Sequence, residues 1–310
     1  MKFTLRQMAV FVAIARQESV SRAAKALALS QSAASTALGE LERQYDTQLF
    51  DRVGKTLRLN ELGQSLLPQA LELIERAQSL ESQLEGRAGY GKLRIGATLT
   101  IGNYLATLIV ADFLKRHPEG EARLQVHNTA SIVQQVARYE LDLGLIEGAC
   151  RHPDLLVEPW IEDELVVFCA PQHPLCALRQ TPIDLADLAH QAWIMREPGS
   201  GTRETLDRAL QQHHLQATIR LELEHTEAIK RAVEFGFGIG CISRLALREA
   251  FRRGSLVEIA TPELNLRRHF HFVWHKRKFH TSGMSEFIAL CRALTQGLTR
   301  SDQINWPFIP

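Results

Sequence analysis

The period of the apolar positions changes along the chain, and each change marks a different kind of element. Met8, Phe11, Val12 and Ala15 recur at helical spacing, which predicts a first helix over residues 5–15 whose buried face is a floor for the next two helices. Residues 19–52 then read SVSRAAKALALSQSAASTALGELERQYDTQLFDR. Ser19 or Ser21 can cap a short helix bearing Ala23, Ala24 and Leu27, and Ser30 can cap a second. In that second helix Ala34, Leu38 and Leu41 face inward, leaving Gln31, Ser32, Ser35 and Thr36 outside. Two helices joined by about three residues form a helix-turn-helix, and a small, polar leading end fits a DNA major groove, where Gln and Ser reach base edges and phosphates. On spacing alone the same block also reads as a plain helical hairpin in a core.

Residues 51–60, DRVGKTLRLN, turn on Gly-Lys between two short strands. Val53, Leu57 and Leu59 point in, so Arg52, Lys55 and Arg58 are free to meet phosphate or the minor groove as a wing. Over residues 61–84, Leu66, Ala70, Leu73, Ala77, Leu80 and Leu84 follow alternating steps of four and three. That is a coiled-coil seam joining two chains through Leu66, Leu73 and Leu80; the alternative is one amphipathic helix lying on its own domain. Pro68 bends or begins its regular part, and the glycines of residues 86–91 make a hinge.

From residue 92 short apolar strands (93–97, 124–127, 143–146) alternate with helices (104–116, 132–139). A second series comes next, with strands at 165–170, 193–195, 219–223 and 239–242 among helices at 202–213, 227–235 and 245–252. A last strand (270–274) and helix (284–294) close the chain. The alternation predicts an α/β fold with a mainly parallel sheet that takes ligands at the carboxyl ends of its strands.

Composition adds one asymmetry. Net charge is +1 over 310 residues, but residues 1–60 hold 9 Lys/Arg against 5 Asp/Glu, leaving 27 against 30 for the rest. A basic head on a slightly acidic body suits a protein that touches DNA with one end. The five cysteines form no Cys-x-x-Cys pair, which suits reduced thiols in a cytosol. The leading MKFTLRQM lacks a signal-peptide core, and no apolar run approaches the length of a membrane span, so a cytoplasmic protein without membrane attachment is expected.

Three stretches set hydroxyls and glycines where strands end and helices begin: 97–103 (ATLTIGN, with Thr98 and Thr100), 128–131 (NTAS, with Asn128 and Thr129) and 196–203 (REPGSGTR, with Arg196, Ser200, Gly201 and Thr202). Helix starts concentrate partial positive charge, so three of them around one cleft would hold a small anion; singly, each is a helix cap. Other chemistries fail on spacing. PGSGTR is neither a phosphate loop with Gly-Lys-Ser/Thr nor a nucleophile elbow, and the glycines of residues 236–240 precede a strand instead of following one. His269, His271 and His275 share a strand face without an acidic or cysteine partner, so no metal, no cofactor and no enzymatic activity are expected.

The register of the head resembles the LysR-type transcriptional regulators: Phe11 in the first helix, A-A-x-x-L at 23–27, S-Q-S-A-x-S at 30–35, Leu41 with Glu42, and L-F-x-R at 49–52. The resemblance implies a winged helix-turn-helix head (1–60), a dimerising linker helix and hinge (61–91) and an effector-binding body (92–310). It also implies that the body has two subdomains of periplasmic-binding-protein type, about 92–163 with 267–310 and 164–266, crossing over near Asp163 and Arg267. Implied partners are double-stranded DNA, a second chain or three, and a small effector at Thr98 and Thr100. EPWIEDELVVF, RxxGSGTR and EAIKRAVxxGxGI look like the YeiE-like branch and, further off, CysB-like members, which sense sulfur oxyanions; this implies a sulfite- or sulfate-sized ligand. Glu147 opposes an anion unless Arg196 or Arg203 pairs with it. Two departures stand out in the head: Tyr45-Asp46 replaces a small apolar residue and Gly, which asks Asp46 to turn left-handed, and Thr36-Ala37 replaces a basic or amide pair, which shifts operator choice to Gln31, Ser32, Ser35 and the wing. The alternative is a solute-binding-type protein whose head serves assembly only.

Overall fold

A computed structural model describes residues 2–53, 56–84, 90, 92–178 and 183–305. Helices α1 (Leu5–Gln17), α2 (Val20–Ala26) and α3 (Gln31–Gln44) build the head, and each starts on a hydroxyl. Thr4 Oγ1 accepts from the Gln7 N–H at 3.2 Å while Gln7 Oε1 accepts from the Thr4 N–H at 2.9 Å; Ser19 and Ser30 accept from the Arg22 and Ala33 N–H groups at 3.4 and 3.1 Å. Each such cap is worth about 1 kcal/mol. Ala23, Ala24 and Ala34 are fully buried with Phe11, Ile14 and Leu41, so the helices approach closely where side chains are small. Asp46 adopts φ 48°, the left-handed conformation its place in the turn after α3 requires.

Phe50 meets Phe11 edge to face, ring centroids 5.7 Å apart, and opens strand β1 (Phe50–Val53), which pairs antiparallel with β2 (Thr56–Leu59). The Leu57 N–H donates to Glu18 O at 3.2 Å and ties this wing to the end of α1. Lys55, at the wing tip, lies outside the described residues. Helix α4 (Glu61–Leu84) comes next, capped where Asn60 Oδ1 accepts from the Gly63 N–H at 2.8 Å. Pro68 sits inside this helix and is buried, so the regular part starts well before it. Leu67, Ala70 and Leu71 pack on the head, whereas Leu73, Leu80 and Leu84 are 36%, 59% and 81% exposed. The hinge expected over residues 86–91 falls, apart from Tyr90, outside the described residues.

The body is one sheet shared by two lobes. Its strands are β3 (Lys92–Ala97), β4 (Glu121–Val126), β5 (Leu143–Glu147), β6 (Leu155–Cys169), β7 (Ala192–Arg196), β8 (Thr218–Leu223), β9 (Ile239–Ser243), β10 (Val257–Ile259) and β11 (Arg267–His275), in the order β4-β3-β5-β11-β6-β9-β7-β8, with β10 on β6. Pairings β3/β4, β3/β5, β7/β8 and β7/β9 are parallel; β11 and β6 run antiparallel to their neighbours. Strand β6 spans 15 residues: Leu155–Glu164 lie against β11, and from Leu165 the strand pairs with β9. Periodicity predicts only the second half, because Glu158, Glu162 and Glu164 interrupt the first and its half-buried positions carry no continuous apolar run.

Helices cover both faces. Around the first lobe lie α5 (Leu99–Ile101), a π turn (Gly102–Ala106), α6 (Thr107–Arg116), α7 (Thr129–Ala137) and α12 (Ser282–Leu294); around the second lie α8 (Leu185–Ala189), α9 (Gly201–Gln211), α10 (Thr226–Glu234) and α11 (Arg244–Arg253). Phe113, Phe270, Phe272 and Phe287 fill one side of the first lobe, with Ile132, Val136 and Val273 on the other. In the second lobe Trp193, Met195 and Leu206 oppose Phe168, Ile229 and Val233 across the sheet. Burying side chains of this size contributes about 1.5–3 kcal/mol each. Among the described residues no helix is long and apolar enough to cross a membrane.

Candidate nucleic-acid interface and effector cleft

Helix α3 presents Gln31, Ser32, Ser35 and Thr36 to solvent and buries Ala34, Leu38 and Leu41. Ser30 is engaged as its cap, and its Oγ also lies 3.0 Å from Ser32 Oγ, which fixes the leading turn. No cation stands in that turn; Arg43 is in the last one. Positive charge comes from flanking elements instead: Arg22 and Lys25 of α2 and Arg52 and Arg58 of the wing, all exposed. Arg22 is anchored, its Nη2 donating to Gln17 O at 2.5 Å.

Where the two lobes of the body meet, the hydroxyls of Thr129 and Thr202 and the Thr100 N–H converge on Glu147, whereas the Thr98 hydroxyl donates to Leu145 O at 3.5 Å. Strand β5 delivers its carboxylate, 1% exposed, to the start of α5 and α9. Glu147 Oε1 accepts from the Thr100 N–H at 2.8 Å; Oε2 accepts from Thr202 Oγ1 at 3.0 Å and pairs with Arg268 Nη1 at 2.9 Å. The Glu147 carbonyl accepts from Thr129 Oγ1 at 3.2 Å, and Thr129 Oγ1 accepts in turn from the Gly201 N–H at 3.2 Å. A Cβ on Gly201 would stand 2.1 Å from Glu147 O, so the lobes reach this separation only with glycine there. The Ala130 N–H donates to Gly199 O at 3.1 Å and completes the contact between lobes.

Thr98 and Ser200 are buried at helix starts and neither side chain caps its helix; Asn128 caps α7, accepting from the Ser131 N–H at 3.0 Å. Arg196 and Arg203 do not provide the pairing expected for Glu147. Arg196 forks onto Glu197 at 2.7 and 2.8 Å, and Arg203 holds Asp207 and Glu222 at 2.7 and 3.3 Å. The cation is Arg268, delivered by β11 from a distant part of the chain, and no local pattern ties it to Glu147. Its Nε also pairs with Asp163 Oδ2 at 2.8 Å, and Asp163 Oδ1 accepts from the hydroxyls of Ser243 (2.6 Å) and Ser301 (2.5 Å).

Burial alone would push the Glu147 carboxyl up; Arg268, Arg196 and the Thr100 hydrogen bond outweigh it and hold the group below the ordinary value. At Asp163 burial wins over Arg268 and the two serine hydroxyls, so that carboxyl is raised. Arg268 is buried between them, and its Nη2 lacks a hydrogen-bond partner among the described residues. One internal carboxylate is thus held where the lobes meet by the Thr100 N–H, the Thr202 hydroxyl and the Arg268 guanidinium. Among the described residues no three His, Cys, Asp or Glu are grouped to hold a metal ion; the His269 and His271 rings lie 6.1 Å apart on β11.

Residues 5–64 match the bacterial regulatory helix-turn-helix proteins of the lysR family, and residues 87–296 match the LysR substrate binding domain. The chain therefore belongs to the LysR family: it is a DNA-binding transcriptional regulator with an effector-binding domain, and its relatives are regulators, not enzymes. It is 42% identical over 291 residues to the uncharacterized HTH-type transcriptional regulator YeiE of Escherichia coli (strain K12), covering 94% of this chain and 98% of that protein. Among solved structures it resembles full-length OxyR from Pseudomonas aeruginosa (TM-score 0.69, 20% identity, 94% of each chain). It also resembles the Synechocystis CcmR regulatory domain in complex with 2-PG (TM-score 0.62, 28% identity, 67% of this chain and 98% of that one). Helix-turn-helix membership removes the reading of the head as an assembly module alone.

Proposed function

We propose that the body cleft binds a small oxyanion or small carboxylate, of sulfite or sulfate size, and that its occupancy alters how two heads engage an operator. The observation that carries this reading is the convergence of Thr100 N–H, Thr202 Oγ1 and Arg268 on one buried carboxylate. Helix starts and a guanidinium favour a negative group, and Glu147 already satisfies them. An effector anion binds by taking over those donors as Glu147 swings away. A related domain solved with 2-PG supports a small ligand in such a body.

On this reading the chain divides into a DNA-binding head (1–60), a linker (61–91) and an effector body (92–310). Ser30, Gln31, Ser32, Ser35 and Thr36 enter the major groove, with Arg52 and Lys55 on the backbone. Two chains associate in the cytoplasm through Leu66, Leu73 and Leu80: Leu73 and Leu80 are exposed and seek a second helix, while Leu66, half-buried against its own head, borders that seam, and two dimers can form a tetramer. Thermal shift with sulfite, sulfate and small carboxylates tests the cleft. Wild type should gain several degrees with one of these anions and Thr202→Val should lose most of that gain; an equal response by both proteins would remove the cleft from consideration.

A further inference from the structure

Head and body of one chain touch through a second, separate cluster of buried charge. Lys278 bridges Asp142 Oδ1 (2.9 Å) and Glu75 of the linker helix. Asp142 also accepts from Arg94, from its N–H at 2.8 Å and from its side chain at 2.5 and 3.1 Å. Arg16 of α1 lines the adjoining cavity of about 800 Å³; burial and the Arg94 charge pull its guanidinium down to about 10, against the pull of Asp142, Glu75 and Glu140. Arg16 Nε and Glu75 Oε2 are buried without hydrogen-bond partners among the described residues. Charges buried with atoms left unpaired make a weak net contact, because desolvation offsets much of the attraction.

One apolar side chain crosses the same boundary. Tyr139 follows α7, is 5% exposed, and belongs to the core of the head together with Leu67 and Leu71 of α4. Its Oη donates to His275 Nδ1 at 2.6 Å, since that nitrogen already accepts from the Arg277 N–H. Tyr139 holds φ 58°, a conformation that costs a non-glycine residue of order 1–3 kcal/mol, so the turn is strained where it meets the head.

Two elements join this contact to the cleft. Helix α7 carries Thr129, bonded to Glu147 and Gly201, at one end and runs into the Tyr139 turn at the other, a span of roughly 13 Å for its nine residues. Strand β5 follows Asp142 of the charge cluster and ends on Glu147 of the cleft. Strand β5 is buried along its whole length and α7 is seated on the sheet through Thr129, Ile132 and Val136, so a shift at one end of either short element moves the other. We propose that α7 and the Tyr139 turn couple closure of the cleft to docking of the head, with Glu75, Lys278, Asp142 and Arg94 as the latch of the docked state. The proposal rests on the effector reading only for what closes the cleft. Differential stability of docked and free heads is what a ligand would bias.

Hydrogen exchange of the full-length protein without DNA tests this. Tyr139→Gly removes the ring and relieves the backbone; exchange at residues 13–17 and 67–75 should rise at least tenfold while β3 and β5 keep their protection. Unchanged exchange at residues 13–17 would overturn the latch. Should that variant fail to fold, Glu75→Gln gives the same reading, because Lys278 keeps Asp142 as partner. Thr129→Val should speed exchange at residues 13–17 at least threefold; an effect confined to the neighbourhood of Glu147 and Gly201 would overturn the coupling. Promoter binding by wild type is independent of either outcome, so a failed latch leaves the regulator reading intact.

Discussion

Arg268→Met is the sharpest test of how the cleft is held. The guanidinium sits between two carboxylates that are 0–1% exposed, with nitrogen–oxygen distances of 2.8 and 2.9 Å. Removing it leaves Glu147 on the Thr100 N–H and the Thr202 hydroxyl, and Asp163 on two serine hydroxyls, without a cation between them. Breaking a buried pair by deleting one partner costs about 3–5 kcal/mol. For a body of this size that lowers the melting temperature by roughly 6–20 °C, read by circular dichroism. The sign of the pH dependence is set by the carboxylates. In wild type the lowered Glu147 contributes stability above the unfolded value and loses it as pH falls. Without Arg268 both carboxyls move up from their wild-type positions, with Arg196 and the Thr100 hydrogen bond still acting on Glu147, so the variant loses stability relative to wild type as pH rises. The deficit of the variant against wild type should therefore be largest near pH 8 and shrink toward pH 5. Adding Glu147→Gln should recover part of it, a coupling of at least about 1 kcal/mol between touching residues. A deficit under about 1 kcal/mol, or one of equal size at pH 5 and pH 8, would refute this account of the site.

The other expectations concern the head and the linker. Gln31→Ala with Ser32→Ala should weaken binding to upstream promoter DNA by about 1–3 kcal/mol per lost bidentate base contact, measured by gel shift at fixed salt; undiminished binding would take α3 out of the groove. Leu73→Glu with Leu80→Glu should shift the protein to monomers in light scattering, because both leucines are exposed on one chain and the substitution sets charge on the seam; retained dimers would place the association elsewhere.

Local signals carried the head. Hydroxyl caps, buried alanines and the polar outer face of α3 are all set by neighbours three or four residues away, and the left-handed Asp46 was foreseeable from the residue it replaces. The same holds for the hydroxyl-rich helix starts of the body, which are properties of single strand-to-helix turns. What no local pattern could reveal is which charges meet. Glu147 points toward an arginine in any reading, yet the nearer candidates, Arg196 and Arg203, are consumed by Glu197, Asp207 and Glu222, and the partner arrives on β11. The first half of β6 was hidden for a related reason: its glutamates are tolerated because arginines of other elements, Arg292 on Glu158 and Arg244 and Arg300 on Glu164, pair with them only after folding.

The chain by itself thus determined its family, the three helices of the head and the kind of side chain that gathers at the helix starts, since these depend on periodicity and capping within a few residues; it missed α8 and merged α5, the π turn and α6 into one later-starting helix. Tertiary structure decided the occupant of the cleft, the cation that holds it and the insertion of Tyr139 into the head. Those depend on groups brought together from remote positions, where burial removes water and makes each unpaired charge expensive, so that the pairing is chosen by the fold and not by sequence proximity.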